Sequence, residues 1–496
     1  MTRSAVRPAR ATNMRRSVAA FTSVCAVTLA PALAAQSPTE IIRRAVNAIG
    51  GEQAVRSVST QTTDINSALF QLGQEETPRS PARATLSFAR ITYDFAGPRY
   101  AIQQENRPIA GPPTRQRRVM ANDAGMFVNN TAEAPDTRAG VAASLRAMRL
   151  SPIPLLRTAL DAPNTLRSAV AKRYRGELMD GIHIAGRDTA TLYFDRGSGL
   201  LTVVETLTDD PILGDRRTTT MYTRWADAGA VKLPRQVDIE VNGRLSQHQV
   251  ITAAAVNGTL ADSTFAVPDS IRTRLAAAPA AAPPLTVTLN ELAPGVWRAE
   301  GGTHFTLVVE QPNRLVVVEA PLNTQRSRAV LDTLRSRFPN KRVGVAVSTH
   351  HHWDHAGGLR EYMAAGVPIT THRRNVESVR EIGAATKTVA RDALSRGRAA
   401  PPVTGVGDSL TIGTGDSRVV VYRLPSTHAE GILAAYVPNA RLLFVADVLS
   451  PGPTMPTLGS QEVVAMVNAA GITVDRVVGA HGGIAPWADV TRSARP

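Results

Sequence analysis

The sequence has one cysteine, Cys25, only four lysines among its 56 basic residues, and aromatic residues at only 4% of its 496 positions. A single thiol cannot form an internal disulfide. Cys25 also lies in a segment that we predict to be cleaved off, so the mature protein would have neither a thiolate ligand nor a cysteine nucleophile. Any metal site must therefore be built from histidine and carboxylate side chains.

The positive charge comes almost entirely from arginine and gives a formal net charge of +15. A nucleic-acid-binding surface would concentrate such charge on one face, whereas these arginines are scattered along the whole chain. The sequence also has no recognition helix, zinc finger or RNA-binding pattern of aromatic residues and glycine. We therefore expect a small-molecule substrate and no nucleic-acid partner, and the sequence does not indicate an oligomeric state.

Residues 1–35 have the composition of a signal peptide. Five arginines precede an apolar run from Val18 to Leu33, and the small-residue sequence Ala32-Leu33-Ala34 ends it. The run is shorter than the ~20 residues of a membrane-spanning helix, and it contains Pro31. We predict export to the periplasm or the extracellular space, with no stable membrane insertion after cleavage.

Two folded domains are expected, because 496 residues exceed what one hydrophobic core usually organises. Residues 271–284 are rich in alanine and proline and have no apolar periodicity, which predicts a linker. This linker would separate a domain of residues 37–270 from a domain of residues 285–496.

The first domain has the period-two apolar pattern of antiparallel strands with one solvated face. A helix is predicted over 38–49 and helical structure over 134–160, and hairpin turns are predicted at 195–199 and at Asn242-Gly243. The whole predicts a curved, mainly antiparallel sheet that resembles the half-barrel of periplasmic lipoprotein-carrier-type proteins. The strands are predicted over 85–89, 99–103, 191–194, 201–207, 237–241 and 245–251.

The second domain alternates valine-rich strands with helices. Continuous apolar strands indicate burial on both faces, so a layered α/β domain is expected. The strands are predicted over 306–309, 315–319, 343–348, 419–424, 442–446 and 476–479. The helices are predicted over 324–338, 358–365, 375–382 and 461–469.

The densest group of possible metal ligands follows the predicted strand 343–348 directly. Within six residues, four side chains can bind metal: His350, His352, Asp354 and His355. Imidazole nitrogen and carboxylate oxygen suit zinc, and a loop at a strand end lets such side chains converge. Three further candidates also follow predicted strands, where ligands can meet at one rim: His428, Asp447 and His481. Seven ligands divide naturally over two metal ions, with one carboxylate bridging them.

The order His350-x-His352-x-Asp354-His355, then His428, Asp447 and His481, resembles the metallo-β-lactamase superfamily over residues 285–496. The resemblance implies an α/β domain built as a four-layer αβ/βα sandwich, and a zinc-dependent hydrolase with two Zn²⁺ ions. It assigns one zinc to His350, His352 and His428. It assigns the other zinc to Asp354, His355 and His481. Asp447 would bridge the two ions, whereas His351 and Trp353 stand at variable positions and are not ligands.

The implied reaction is attack by a metal-bridging hydroxide on an ester, thioester, lactone, amide or phosphodiester. Asp354 is the predicted catalytic residue, since it would orient the hydroxide and accept its proton. Two alternatives stay open. The chain could be a β-lactamase, although zinc β-lactamases do not have a bridging aspartate at the position of Asp447. The N-terminal half-barrel could instead be the functional part, as an envelope ligand- or protein-binding domain beside a structural metal domain.

Two further features are interpreted from the sequence. His304, in the sequence Gly301-Gly302-Thr303-His304, either lines the metal pocket or only caps the start of a strand. The segment 383–408, between the motif and His428, is predicted to form a lid over the pocket.

Overall fold

The structure is a computed structural model that describes residues 36–108, 111–121, 124–278, 285–397 and 399–495. The predicted signal peptide, residues 1–35, lies outside the described residues. Residues Pro38–Pro496 form one compact unit. Over the described ranges, no helix combines the length and the apolar character that crossing a membrane requires.

The N-terminal part is dominated by one large antiparallel sheet. Its helices are α1 (Pro38–Ala48), α2 (Glu52–Ser57), α3 (Arg138–Arg149), α4 (Pro152–Asp161) and α5 (Asp269–Ala277). Its strands are β1 (Thr60–Gln71), β2 (Arg83–Asp94), β3 (Arg99–Pro108), β4 (Thr114–Ala121), β5 (Ala124–Asn129), β6 (Ala132–Pro135), β7 (Leu166–Tyr174), β8 (Glu177–Ile184), β9 (Ala190–Asp195), β10 (Leu201–Asp210), β11 (Gly214–Thr223), β12 (Ala226–Ala228), β13 (Val231–Leu233), β14 (Gln236–Val241) and β15 (Arg244–Val256). In the described residues, thirteen of these strands pair in the order β6-β5-β4-β3-β2-β1-β15-β14-β11-β10-β9-β8-β7, while β12 and β13 pair separately.

Local sequence explains how two neighbouring strands of this sheet are joined and how the sheet is covered. Asn242 and Gly243 both have positive φ, 47° and 82°, as a two-residue type I′ hairpin requires, and they join β14 to β15. Helix α1 repeats apolar residues along one side, so that Ile42 and Val46 are buried against the sheet together with α4. The predicted antiparallel sheet, its two hairpin turns and its helices are confirmed.

The predicted linker is partly helical. Helix α5 includes residues 271–277, and Ile271 is buried in a small core with Phe265 and Val267. This apolar anchor gives the alanine-rich stretch a surface on which to fold, so the first part of the predicted linker is helical. Residues 279–284 lie outside the described residues.

The C-terminal part is built from two stacked sheets between helices. Its strands are β16 (Thr288–Ala293), β17 (Val296–Glu300), β18 (Thr306–Glu310), β19 (Arg314–Val318), β20 (Arg342–Val347), β21 (Ile369–His372), β22 (Val403–Val406), β23 (Ser409–Ile412), β24 (Val419–Leu424), β25 (Ile432–Val437), β26 (Leu442–Val445), β27 (Arg476–Gly479) and β28 (Ile484–Pro486). Its helices are α6 (Thr324–Arg337), α7 (Trp353–Ala356), α8 (Leu359–Ala364), α9 (Val376–Ala384), α10 (Thr457–Ala470) and α11 (Trp487–Ser493). Within the described ranges, β16 to β22 form one sheet in chain order and β23 to β28 form the other.

Three apolar cores hold these layers together. Between the two sheets, β18, β19 and β24 pack the side chains of Val309, Val316, Val318, Val419 and Val421. Helices α6, α8 and α9 cover the outer face of the first sheet, and α10 and α11 cover that of the second. The predicted four-layer αβ/βα sandwich is confirmed, and it leaves the ends of the central strands at a common rim.

The β10–β11 turn joins the two parts of the molecule. Ile212 of this turn is buried in the core that α6, α8 and α9 form. The Asp215 carboxylate accepts hydrogen bonds from the backbone N–H and hydroxyl of Thr388, at 2.7 and 2.6 Å, and Lys387 pairs with Asp209. The described part of the segment 383–408 also has polar contacts with Arg360, Ile369 and Arg423, and none of these contacts reaches a predicted ligand, so the lid over the pocket stays a prediction.

Candidate metal centre

The predicted ligands lie at one rim of the sandwich, carried by loops that follow its central strands. The motif loop follows β20 and leads into the short helix α7. His428 lies between β24 and β25, Asp447 follows β26, and His481 follows β27. His304 stands just before β18, after two glycines with positive φ. These five loops bring ligands from 177 residues of chain to one place, since His304 and His481 are 177 positions apart.

The first cluster contains three histidines and one carboxylate. Ligand-capable atoms of its members all lie within 4.8 Å of one another: His350, His352, His428 and Asp447. His428 Nε2 is 2.9 Å from His352 Nδ1 and 3.1 Å from Asp447 Oδ2. His350 Nε2 is 3.5 Å from the same carboxylate oxygen. Such spacings match the distances between ligands on one tetrahedral zinc ion.

The second cluster includes one histidine beyond the predicted set. Its members also lie within 4.8 Å of one another: His304, Asp354, His355 and His481. His355 Nε2 is 3.0 Å from His481 Nε2, and His304 Nε2 is 3.4 Å from Asp354 Oδ2. The sequence left open whether His304 lines the metal pocket or only caps the start of a strand. In the structure it lies among the possible ligands. The variable-position residues His351 and Trp353 belong to neither cluster.

Asp447 lies between the two clusters and faces both. Its Oδ2 faces the first cluster, whereas its Oδ1 is 2.6 Å from His355 Nε2 and 2.8 Å from His481 Nε2. A carboxylate with one oxygen toward each group has the geometry of a bridging ligand. The side chain of Asp447 is only 9% exposed, so solvent does little to satisfy its charge.

Most of the clustered histidines have a hydrogen-bond partner on the ring nitrogen that faces away from the cluster. His355 Nδ1 donates to Glu319 Oε2 at 2.5 Å, and His350 Nδ1 lies 3.0 Å from the Thr349 hydroxyl. The Thr349 hydroxyl in turn donates to Glu319 Oε1. Such partners fix which nitrogen carries the hydrogen and leave the other nitrogen's lone pair for a metal.

Sequence reasoning missed Glu319 as a part of the site. It stands at the end of the predicted strand 315–319, is 1% exposed, and has a φ of +84°, which is unfavourable for a residue with a side chain. A buried carboxylate held in this conformation needs compensating interactions, and here they are the bonds from Thr349 and His355. A glutamate directly after four buried apolar positions was the only sequence signal for it.

Burial and neighbouring charges shift the pKa values of these groups. Burial is the largest influence on His350 and lowers its pKa to about 4, which keeps the imidazole neutral near pH 7. Burial would raise the pKa of Asp354 and of Asp447, but hydrogen bonds from neighbouring histidines outweigh it and hold both carboxyl pKa values below the usual range. Burial also opposes the charged form of His355, yet the Glu319 and Asp447 carboxylates raise its pKa. Neutral imidazole and ionised carboxylate are the forms that bind metal, so His350 and the two aspartates are in the binding form, whereas metal binding to His355 would release its second ring proton.

The donor set fits zinc. His350 Nε2 and Asp447 Oδ1 are buried and face the clusters, and neither makes a hydrogen bond of good geometry in the part of the chain that the structure describes, although the imidazole nitrogens of His355 and His481 lie within 2.8 Å of Asp447 Oδ1. A buried polar atom without a partner is costly, and a cation would satisfy both atoms. Nitrogen and carboxylate ligands, four in each cluster and without thiolate, are typical of zinc hydrolase sites.

Comparison with known proteins gives a family match for the C-terminal part. The model of the metallo-beta-lactamase superfamily matches residues 299–481, a range that includes both clusters. The chain is 28% identical over 159 residues to the 2,4-dinitroanisole O-demethylase subunit alpha of Nocardioides sp. (strain JS1661). That match covers 32% of this chain and 45% of the relative, so the chain spans less than half of the relative's length.

Solved structures similar to this chain include two metallo-beta-lactamases. The enzyme from Pontibacter korlensis is 19% identical, with a TM-score of 0.34, and the match covers 42% of this chain and 97% of that chain. FIM-1 from Pseudomonas aeruginosa, in its mono-zinc form, is 14% identical with a TM-score of 0.34, and the match covers 42% of this chain and 94% of that chain.

Proposed function

From the premise that residues 299–481 are a metallo-beta-lactamase-superfamily domain, we propose that this chain is a zinc hydrolase with two Zn²⁺ ions per molecule. The observation that carries the proposal is the position of Asp447, whose two oxygens face two separate histidine clusters. Four ligands in each cluster would hold the ions, and Asp447 would connect them. His304 would be the additional ligand of the second ion.

Bound zinc ions would supply a water nucleophile at neutral pH and polarise the oxygen of the bond to be cleaved. The protein's own contribution is orientation and proton transfer. Asp354 has a 37% exposed side chain, so it can reach a substrate as well as the second cluster, and its depressed pKa keeps it ionised. We propose that this carboxylate orients the nucleophilic water and accepts its proton.

The proposed substrate is a small molecule with an ester, thioester, lactone or related bond. The Asp447 geometry supports this class over a β-lactam, since zinc β-lactamases do not have a bridging aspartate at that position. The name of the Nocardioides relative adds an aryl methyl ether to the bonds worth testing. We also propose export to the periplasm or beyond, because residues 1–35 combine arginines, an apolar run and a small-residue cleavage sequence.

The test is zinc content and hydrolysis in the wild-type protein beside His352→Ala. The wild type should retain about two zinc ions after dialysis and hydrolyse at least one member of a panel of lactones, thioesters, esters, nitrocefin and 2,4-dinitroanisole. His352→Ala should lose zinc and activity together. His183→Ala is the matched control, since His183 lies in β8 of the N-terminal sheet and contacts Thr191 there. A wild type without zinc, or a His352→Ala protein with full zinc, would refute the proposal.

A further inference from the structure

We propose that the β1–β2 loop (residues 72–82) of the N-terminal sheet is a functional part of the metal centre. In this arrangement the loop fixes the ring of His352 and the carboxylate of Asp354, so the two halves of the molecule build the site together. The inference rests on the proposed zinc binding and extends it to residues outside the matched range 299–481.

The main-chain carbonyl of Glu75 determines which nitrogen of His352 carries hydrogen. This oxygen lies 2.9 Å from His352 Nε2 and 3.0 Å from His351 Nε2. A carbonyl oxygen only accepts hydrogen bonds, so both Nε2 atoms must be donors. Neutral His352 then keeps its lone pair on Nδ1, the atom that lies 2.9 Å from His428 Nε2 in the first cluster. The loop thus turns the correct nitrogen of His352 toward the metal.

The side chain of Gln74 fixes the orientation of the Asp354 carboxylate. Gln74 Nε2 donates to Asp354 Oδ1 at 2.8 Å, while Asp354 Oδ2 faces His304 and His355. One oxygen is therefore held by the N-terminal sheet and the other is directed at the second cluster. Gln74 is a positioning residue, since it acts on the reacting centre through Asp354.

The loop is anchored firmly enough to hold these positions. The Glu75 side chain is 2% exposed, and its carboxylate pairs with Arg244 at the first residue of β15. The Gly73 carbonyl accepts a hydrogen bond of 3.2 Å from the Trp353 backbone N–H. Gly73 has a φ of +81°, and a Cβ built there would lie 2.1 Å from the Trp353 ring, so only glycine allows the loop to come this close.

The same part of the sheet also holds the second ligand-bearing loop. The Glu76 carbonyl accepts a hydrogen bond of 2.7 Å from the Glu430 N–H. Arg83, the first residue of β2, donates to the His428 carbonyl at 2.5 Å. The β1–β2 loop and its flanking strand therefore connect the loop that carries His352 with the loop that carries His428.

Two variants of the full-length protein test this inference. Gly73→Ala places a methyl group against the Trp353 ring and should displace the Glu75 carbonyl. Gln74→Ala removes the bond to Asp354 and leaves the loop's main chain unchanged. Each has a matched control in the same sheet. Gly176→Ala has the same left-handed strain, with φ +90° and no atom within 4 Å of the new Cβ, and Gln71→Ala removes an amide that donates to the Thr85 hydroxyl within the sheet.

Zinc affinity by chelator competition and the absorption spectrum of the Co²⁺-substituted protein are the readouts. Gly73→Ala should weaken zinc binding about 10- to 100-fold, as loss of a partner of a metal-binding histidine does elsewhere. Gln74→Ala should weaken the binding of one of the two zinc ions and change the spectrum of the Co²⁺-substituted protein. Both controls should match the wild type. If Gly73→Ala does not fold, Gln74→Ala decides alone.

The outcomes separate this inference from the proposed function. A wild type that binds two zinc ions, with Gly73→Ala and Gln74→Ala equal to it in affinity and spectrum, would overturn the inference alone. A wild type that binds no zinc would overturn the proposed function and this inference together.

Discussion

At the scale of single residues, the centre depends on groups that do not themselves bind metal. Glu319 accepts hydrogen bonds from His355, a residue of the second cluster, and from Thr349. The Thr349 hydroxyl also contacts His350 of the first cluster, so one carboxylate orients ligands of both clusters. A glutamine at position 319 would have an NH2 group in place of one of the two carboxylate oxygens. That group donates and cannot accept, so the hydrogen bond from either His355 or Thr349 would be lost or reversed.

Glu319→Gln should therefore lower zinc affinity by about 10- to 100-fold. Chelator competition measures the change. Glu310→Gln is the control, because Glu310 is also a carboxylate at a strand end and pairs with Lys341 away from the clusters. Equal zinc affinity in the Glu319→Gln protein and the wild type would show that the Glu319 carboxylate does not support the centre.

His304 gives a second prediction at this scale. Its Nδ1 lies 2.8 Å from the Thr303 hydroxyl and its Nε2 faces Asp354, so its free lone pair can reach the second ion. His304→Ala should bind one zinc ion with wild-type affinity and the other ion more weakly. Zinc titration checks this, with His183→Ala as control. Two ions bound as tightly as in the wild type would leave His304 as a pocket-lining residue only.

At the scale of elements, a buried arginine connects α8 with the segment after α9. Arg360 is 1% exposed, and its guanidinium donates to both carboxylate oxygens of Asp392 and to the carbonyl of Ile382. Removing one partner of a buried ion pair leaves the other charge uncompensated, so Arg360→Ala should cost about 3–5 kcal/mol of unfolding free energy. The side chain of Arg328 is 55% exposed, so Arg328→Ala, which breaks its pair with Glu361, should cost less than about 1 kcal/mol. Urea unfolding compares the two, and similar losses would contradict the argument.

The same ion pair gives a pH dependence. Burial raises the pKa of Asp392, but the hydrogen bonds from Arg360 and Ser395 outweigh it and lower the pKa from 3.8 to about 2. Because the folded pKa lies below the unfolded one, the stabilisation is present above about pH 4 and is lost as the pH falls toward about 2. The melting temperature of Asp392→Asn should therefore fall less steeply with acidification over this range than that of the wild type. Parallel curves would mean that Asp392 does not contribute to acid sensitivity.

At the scale of the whole molecule, the parts that the sequence predicts are those with local signals. Asn242-Gly243 specifies its own turn, and the spacing from His350 to His355 identifies a metal site without any knowledge of the fold. Strand β1 was not predicted, because its buried positions include Thr63 and Ser67, which have no apolar signal. It is a strand because β2 and β15 pair with it on both sides.

The contribution of the N-terminal sheet to the site could not be predicted for a similar reason. The Glu75 carbonyl contacts His351 across 276 residues of chain, and a main-chain carbonyl leaves no mark in the amino-acid sequence. The sequence therefore indicates which residues bind metal, but not which main-chain atoms orient them.

The most direct measurement is the zinc stoichiometry of the wild type and three variants of the full-length protein. We expect about two zinc ions per wild-type chain, with the binding of one ion weakened in His428→Ala, that of the other weakened in His481→Ala, and that of both weakened in Asp447→Asn. One zinc ion per wild-type chain, or an Asp447→Asn protein that keeps one site at full affinity, would contradict a centre in which Asp447 connects two ions.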